Sequence, residues 1–144
     1  MRLDETDQAL IAALQGNARQ PIADLARGLG LARTTVQARL DRLERGGAIA
    51  GYTIRLGSAL RDPLRATALV SIEPRSGPAV LNRLRSLPGV QVVHTTSGRF
   101  DLLVQIAAQT TQELDETLDR IGEARGVKSS ESLIHLSTKL DRRC

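Results

Sequence analysis

The spacing of apolar residues changes part-way along this 144-residue chain, and the change limits the folds open to it. Up to about residue 45, apolar positions recur at helical intervals; beyond it, runs that alternate every two residues take turns with helical ones. Asp4 can cap a first helix, with Glu5 and Asp7 in the first turn, where the positive end of the helix dipole favours them. Leu10, Ile11 and Leu14 follow at helical spacing, and Gly16-Asn17 closes the element. Pro21 suits the first turn of a second short helix, whose Ile22, Leu25, Ala26 and Leu29 form an apolar stripe. Gly28-Leu29-Gly30-Leu31 is a tight break, since glycine adopts positive φ freely. A third helix runs from about Ala32 to Arg45, with Val36, Leu40 and Leu43 at i, i+4 and i+7, and Gly46-Gly47 ends it. Ala48 to Arg55 reads as two short strands meeting at a turn, a hairpin that could serve as a wing. Residues 57–64, polar and containing Pro63, read as a linker.

The second half predicts strands over Ala66–Glu73, Val90–Thr96, Phe100–Ala107 and Val127–Leu136, and helices over Pro78–Leu87 and Thr111–Ala124. Ser97-Gly98-Arg99 is the turn between the middle strands, and Thr110 with Glu113 reads as a capping box. The order βαββαβ is the ferredoxin-like arrangement, an antiparallel sheet with both helices on one face. The expected fold class is therefore α+β. It comprises a winged helix-turn-helix over 1–56, a linker over 57–64 and a ferredoxin-like domain over 65–144. The middle strands carry apolar residues on both sides, so the outer sheet face needs a cover, and a second copy is the simplest one. That predicts a homodimer.

Composition excludes several classes. One Tyr and one Phe leave no platforms on which single-stranded bases could stack, and they force an aliphatic core. The sole cysteine, Cys144, allows no intrachain disulfide and no Cys-rich metal site. No apolar run is long enough to span a membrane, and the first residues lack a signal-peptide stretch, so a cytoplasmic protein is expected. The net charge of +4 permits nucleic-acid binding. Of the basic residues, all but Lys128 and Lys139 are arginine, whose planar fork suits phosphate and guanine edges. A genome rich in Arg codons would give the same bias.

With Val36 at the centre of the buried face, Thr34, Ala38 and Arg45 lie opposite, at about 100° per residue. Thr35, Asp41 and Arg42 flank them, and Gln37 lies towards one edge. Hydroxyl and amide groups can read base edges, and Ala can touch a thymine methyl. Thr34, Thr35, Gln37 and Ala38 are thus candidate base readers, and Arg33, Arg39 and Arg42 candidate phosphate or guanine contacts. Between Arg33 and Arg61 six arginines stand against Asp41 and Glu44, a local excess of +4. Asp41 would repel phosphate unless it pairs with Arg42 or Arg45. A plain helical domain with an Arg-rich solvated face would show the same pattern.

Leu3-Asp4-Glu5-Thr6-Asp7, Leu14, Arg19, Leu25-Ala26, Gly30-Leu31, Thr35-Val36, Arg39-Leu40, Leu43-Glu44, Gly47, Ile49 and Gly51-Tyr52 together resemble the Lrp/AsnC regulators of bacteria and archaea. Pro88-Gly89-Val90, Gly98-Arg99-Phe100-Asp101-Leu102-Leu103 and Gly126-Val127 extend the resemblance over almost the whole chain. It implies a transcriptional regulator that binds double-stranded DNA, forms dimers and often octamers, and senses a small-molecule effector, in many members an amino acid. The effector site implied is the Gly-x-x-Asp turn, Gly98, Arg99 and Asp101, completed by Ser130 and Ser132 on a neighbouring last strand. A glycine lets a ligand approach the backbone, and a carboxylate can hold an α-ammonium group. As structural residues, Gly98 would be a turn glycine and Asp101 a turn cap. The chain departs from the family pattern in three places. Ala32 stands where a Ser usually caps the third helix, Gln109 replaces the usual Asp, and His135 interrupts an aliphatic strand.

Two other functions fit the architecture. Some Lrp-like proteins are sirohaem decarboxylases, but these carry aromatic and basic residues around the turn, where this chain keeps Gly98 and Asp101 beside Phe100. His94 and His135 lie on different strands, and no HExxH, P-loop or nucleophile elbow occurs, so no catalytic residue, metal or cofactor is assigned. The other alternative is a ligand-sensing module whose helices contact a protein.

Overall fold

A computed structural model describes residues 1–57, 59–60 and 62–143. Ser58 and Arg61 of the expected linker, and the terminal Cys144, lie outside the described residues. Over nearly all of its length the chain divides into two compact units, Met1–Gly57 and Ser58–Arg142.

The first unit holds α1 (Glu5–Gly16), α2 (Ile22–Leu29) and α3 (Arg33–Arg45). Leu10, Leu25, Ala26, Val36, Leu40 and Leu43 form its buried core, with Ile11, Leu14, Ile22, Leu29 and Leu31 packed around them. Asp4 caps α1 as expected, and reciprocally: its Oδ1 accepts from Asp7 N–H at 2.8 Å while Asp7 Oδ2 accepts from Asp4 N–H at 3.2 Å. Pro21 precedes α2 instead of opening it, and its carbonyl accepts from Asp24 and Leu25 N–H. At the other end of α2, Gly30 takes the left-handed conformation (φ 66°), which lets Leu31 N–H return to the Ala26 carbonyl at 2.9 Å. This Schellman closure turns the chain straight into α3. No side chain caps α3 at Ala32, and neither Thr34 nor Thr35 substitutes.

The expected hairpin is not formed: residues 48–57 contain no strand. Ile49 N–H donates to the Leu43 carbonyl at 3.0 Å, so the first residues of the supposed hairpin are spent closing α3. What remains is too short for a two-stranded ribbon, which is marginal in water even when longer. Tyr52, Ile54 and Leu56 are left exposed.

The second unit runs β1 (Leu64–Ile72), α4 (Gly77–Arg85), β2 (Val90–Thr95), β3 (Leu102–Ala108), α5 (Thr111–Gly122) and β4 (Val127–Ile134). The strands form one antiparallel sheet in the order β2-β3-β1-β4, the ferredoxin-like topology. Ala66, Ala68 and Val70 stand opposite Ile106, Val104 and Leu102, and these residues pack with Val80, Leu84, Leu114 and Ile121 of the helices. Leu118, expected in the buried stripe of α5, is only partly buried. The other sheet face carries Thr67, Leu69, Leu103, Gln105 and Ala107, half-buried, with Val92 and Leu133 exposed. β3 starts at Leu102 instead of Phe100 because Thr96 closes a wider turn, its N–H on the Asp101 carbonyl and its hydroxyl on that of Phe100. Thr110 caps α5 by accepting from Glu113 N–H, but the Glu113 carboxylate returns to Gln109 N–H, one residue earlier than a capping box requires.

Candidate functional site

On α3 the buried face is Val36, Leu40 and Leu43. Arg33, Thr34, Thr35, Gln37, Ala38 and Arg42 are exposed, and Arg39 is half-buried. The N-terminal half of the outward face is thus two hydroxyls, an amide and a methyl, with arginines at its borders. Gln37 donates its amide N–H to Asp41 at 2.9 Å, and Arg45 lies 3.8 Å from the same carboxylate. The awkward acid of α3 is therefore matched.

The sequence pattern missed the residues that position this face. Arg39 Nη1 donates to both Asp4 oxygens, at 3.0 and 2.7 Å, and to Asp7 Oδ1 at 2.9 Å; Arg42 donates to Asp7 Oδ2. Asp7 is fully buried. The hydrogen bond from Arg42, aided by the capping N–H of Asp4 and by Arg39, outweighs desolvation and holds its carboxyl at about 2. Asp4 is likewise held below the ordinary range, chiefly by Arg39. The start of α1 is thereby tied to one turn of α3. A signal was present: Asp7 lies three residues before Leu10 and seven before Leu14, on the face that enters the core.

At the turn between β2 and β3, Gly98 has φ 108°, and a Cβ built there would meet nothing within 4 Å. Asp101 N–H donates to the Val70 carbonyl, and its Oδ2 accepts from Ile72 N–H, both at 2.9 Å. The Asp101 carboxylate, itself exposed, does not cap its own turn but ties that turn to the end of β1. Arg99 stacks its guanidinium 5.3 Å from the centre of the Phe100 ring. Ser130 and Ser132 are exposed on the edge strand β4, opposite Val70 and Ala68. Asp101 and Ser130 accordingly flank the same stretch of β1 from its two sides. His94, opposite Leu103, lies on the edge strand β2, and His135, whose Nε2 is 2.8 Å from the Thr67 hydroxyl, lies one residue past the end of the other edge strand, β4, which stops at Ile134 and not at Leu136 as expected. Among the described residues no group of three or more His, Cys, Asp or Glu is placed to hold a metal, and no helix is long and apolar enough to cross a membrane.

Residues 3–44 match the model of the AsnC-type helix-turn-helix domain, and residues 65–143 that of the Lrp/AsnC ligand binding domain. The chain belongs to the Lrp/AsnC family. Among relatives, the transcriptional regulator LysM of Saccharolobus solfataricus is 31% identical, covering 94% of this chain and 95% of its own. An uncharacterised helix-turn-helix regulator of Pyrococcus horikoshii is 34% identical over 94% of both. Among solved structures, Escherichia coli AsnC superposes with a TM-score of 0.90 at 24% identity, covering 100% of this chain and 99% of AsnC. A Neisseria meningitidis regulator solved as an L-methionine complex gives 0.87 at 24% identity, covering 97% and 94%. As an Lrp/AsnC protein, the chain is a DNA-binding transcriptional regulator that couples a helix-turn-helix to a ligand-binding domain.

Proposed function

We propose that this Lrp/AsnC regulator lays α3 in the major groove and is modulated by an amino acid bound at the Gly98–Asp101 turn. The observation that carries the DNA reading is the exposed row Thr34, Thr35, Gln37 and Ala38 on the first half of α3, backed by a sealed apolar face. In a helix-turn-helix that part of the second helix reaches base edges. Arg33 borders the row at the helix start. Arg42 contacts phosphate with the guanidinium donors that Asp7 leaves unused, while Arg39 stays engaged by Asp4 and Asp7. In this reading residues 1–56 are the DNA-binding domain, 57–64 a linker, and 65–144 the effector and assembly domain.

For the effector, the open space at Gly98 admits a ligand to the backbone, and among the described residues Asp101 uses only one oxygen, on Ile72 N–H of β1. The free oxygen suits an α-ammonium group. The L-methionine held by the Neisseria protein supports an amino acid as the class. Arg99 supplies a cation for a carboxylate, and Ser130 and Ser132 contribute hydroxyls across an interface between copies. Such a site needs a homodimer and a higher assembly, such as an octamer, in the cytoplasm, and it asks no catalysis of any residue.

Gel-shift titration on a selected and a scrambled duplex tests the DNA half. Thr35→Ala and Gln37→Ala should weaken binding to the selected duplex by about 1–3 kcal/mol each and leave the scrambled one unchanged, whereas Arg42→Ala weakens both alike. Equal losses on both duplexes for all variants would refute the assignment. Calorimetry with the amino acids tests the other half: Asp101→Ala should lower affinity in a protein that stays folded, and unchanged affinity removes Asp101 from the site.

A further inference from the structure

The face of α3 proposed to meet DNA carries a carboxylate that does not belong to α3. Asp4, from the start of α1, lines one shallow groove with Thr34, Thr35, Ala38, Arg39 and Arg42. Its side chain is 54% exposed, whereas that of Asp7 is fully buried. Both Asp4 oxygens are engaged: Oδ1 accepts from Asp7 N–H at 2.8 Å and Arg39 at 3.0 Å, and Oδ2 accepts from Arg39 at 2.7 Å. A carboxylate so occupied is a poor acceptor for a cytosine amino group, the base contact an Asp would otherwise make. It keeps its charge, next to where phosphates pass when α3 lies in the groove.

All but one of the α3 arginines are matched by acids. Arg39 and Arg42 are matched by Asp4 and Asp7, and Arg45 lies near Asp41. Arg33 is the α3 arginine without an ion pair among the described residues. A free guanidinium beside phosphate releases a counterion and adds affinity for any sequence. A guanidinium already donating three hydrogen bonds to two carboxylates brings its counterion with it.

We propose that Asp4 determines specificity: by neutralising Arg39 on the DNA side of α3 it withholds a generic phosphate contact, so that affinity depends on the side chains that read bases. The inference rests on the reading of α3 as the DNA-contacting helix. Asp4 acts through Arg39, as a positioning residue, and touches no base.

The test is fluorescence anisotropy with the full chain across a salt series. The probes are a duplex selected from a random pool and a scrambled duplex of the same length. Asp4→Asn keeps an N-cap oxygen, since Asn caps as well as Asp, and removes the charge. Affinity for the scrambled duplex should rise roughly fivefold to tenfold at ~0.1 M salt, and the slope of log K against log salt should steepen by about 0.9, as for one more neutralised phosphate. The selected duplex gains less, so discrimination falls. Adding Arg39→Gln to Asp4→Asn should return the slope and the scrambled-duplex affinity to wild-type values, which a merely structural Asp4 would not do. Asp4→Ser, which also caps, carries the same comparison if the Asn variant is not folded. A folded variant with unchanged slope, or with weaker binding to both duplexes, overturns the proposal. A wild-type chain that binds no duplex at any salt overturns the DNA reading of α3 together with it, whereas wild-type binding with an indifferent variant removes only the role of Asp4.

Discussion

The helical unit buries a carboxylate between two arginines, while among the described residues the sheet unit buries only apolar side chains. In the sheet unit, cross-strand ladders fix register, and alternation sends Ala66, Ala68 and Val70 to one side without further instruction. Three short helices have no such ladder, and apolar contact alone is non-directional. The Asp4–Asp7–Arg39–Arg42 network supplies a directional tie between α1 and α3, a helix that lacks its own cap. Small units, with little core to spare, gain most from such a device.

The largest effect separating the two units should come from the apolar core. Ile106→Ala removes a buried β3 side chain from the sheet unit and should cost about 2–5 kcal/mol by urea unfolding. A loss below about 1 kcal/mol would mean that the sheet core is not the main support of that unit. Next, Gly98→Ala meets no steric obstacle but must hold φ 108°, so a cost of about 1–2 kcal/mol is expected, together with weaker effector binding. A neutral result would show that the turn relaxes readily. Ala32→Ser should restore the missing cap of α3 and stabilise the helical unit by about 1 kcal/mol, measured by its thermal midpoint. No gain would indicate that the ionic tie already sets the start of α3.

The narrowest effect is the pH response. The Asp7 carboxyl is depressed in the folded chain, from 3.8 to about 2, so its contribution to stability is present above the ordinary value and disappears as pH falls through about 2. The helical unit should therefore lose stability between about pH 4 and pH 2, and Asp7→Asn should flatten that loss. An unchanged acid response in the variant would assign the effect to other carboxylates.

Most of the fold was legible in the sequence because periodicity is local. The alternation around Val104 and the Gly30 break each identify an element from a few neighbouring residues, and the structure keeps both. The hairpin was misread because Ile49 carries the same apolar signal whether it starts a strand or closes α3. The Asp7 tie was hidden for a different reason. An acid in the first turn of a helix is already explained by the dipole, and although the place of Asp7 on the core-facing side called for a partner, nothing local named one more than thirty residues away. For the candidate sites, the exposed row of α3 could be placed from spacing, whereas the Gly98 turn was singled out by the family resemblance alone. The division of Arg39 between Asp4 and Asp7 needed the tertiary arrangement.

The contrast between the units turns on whether the buried Asp7 carboxylate is truly held by Arg39 and Arg42. A carbon-13 NMR titration of that carboxyl group reads this directly. A midpoint at about 2, moving back towards 3.8 in an Arg42→Gln variant, is the result expected; a wild-type midpoint near 3.8 would contradict the ionic tie between α1 and α3.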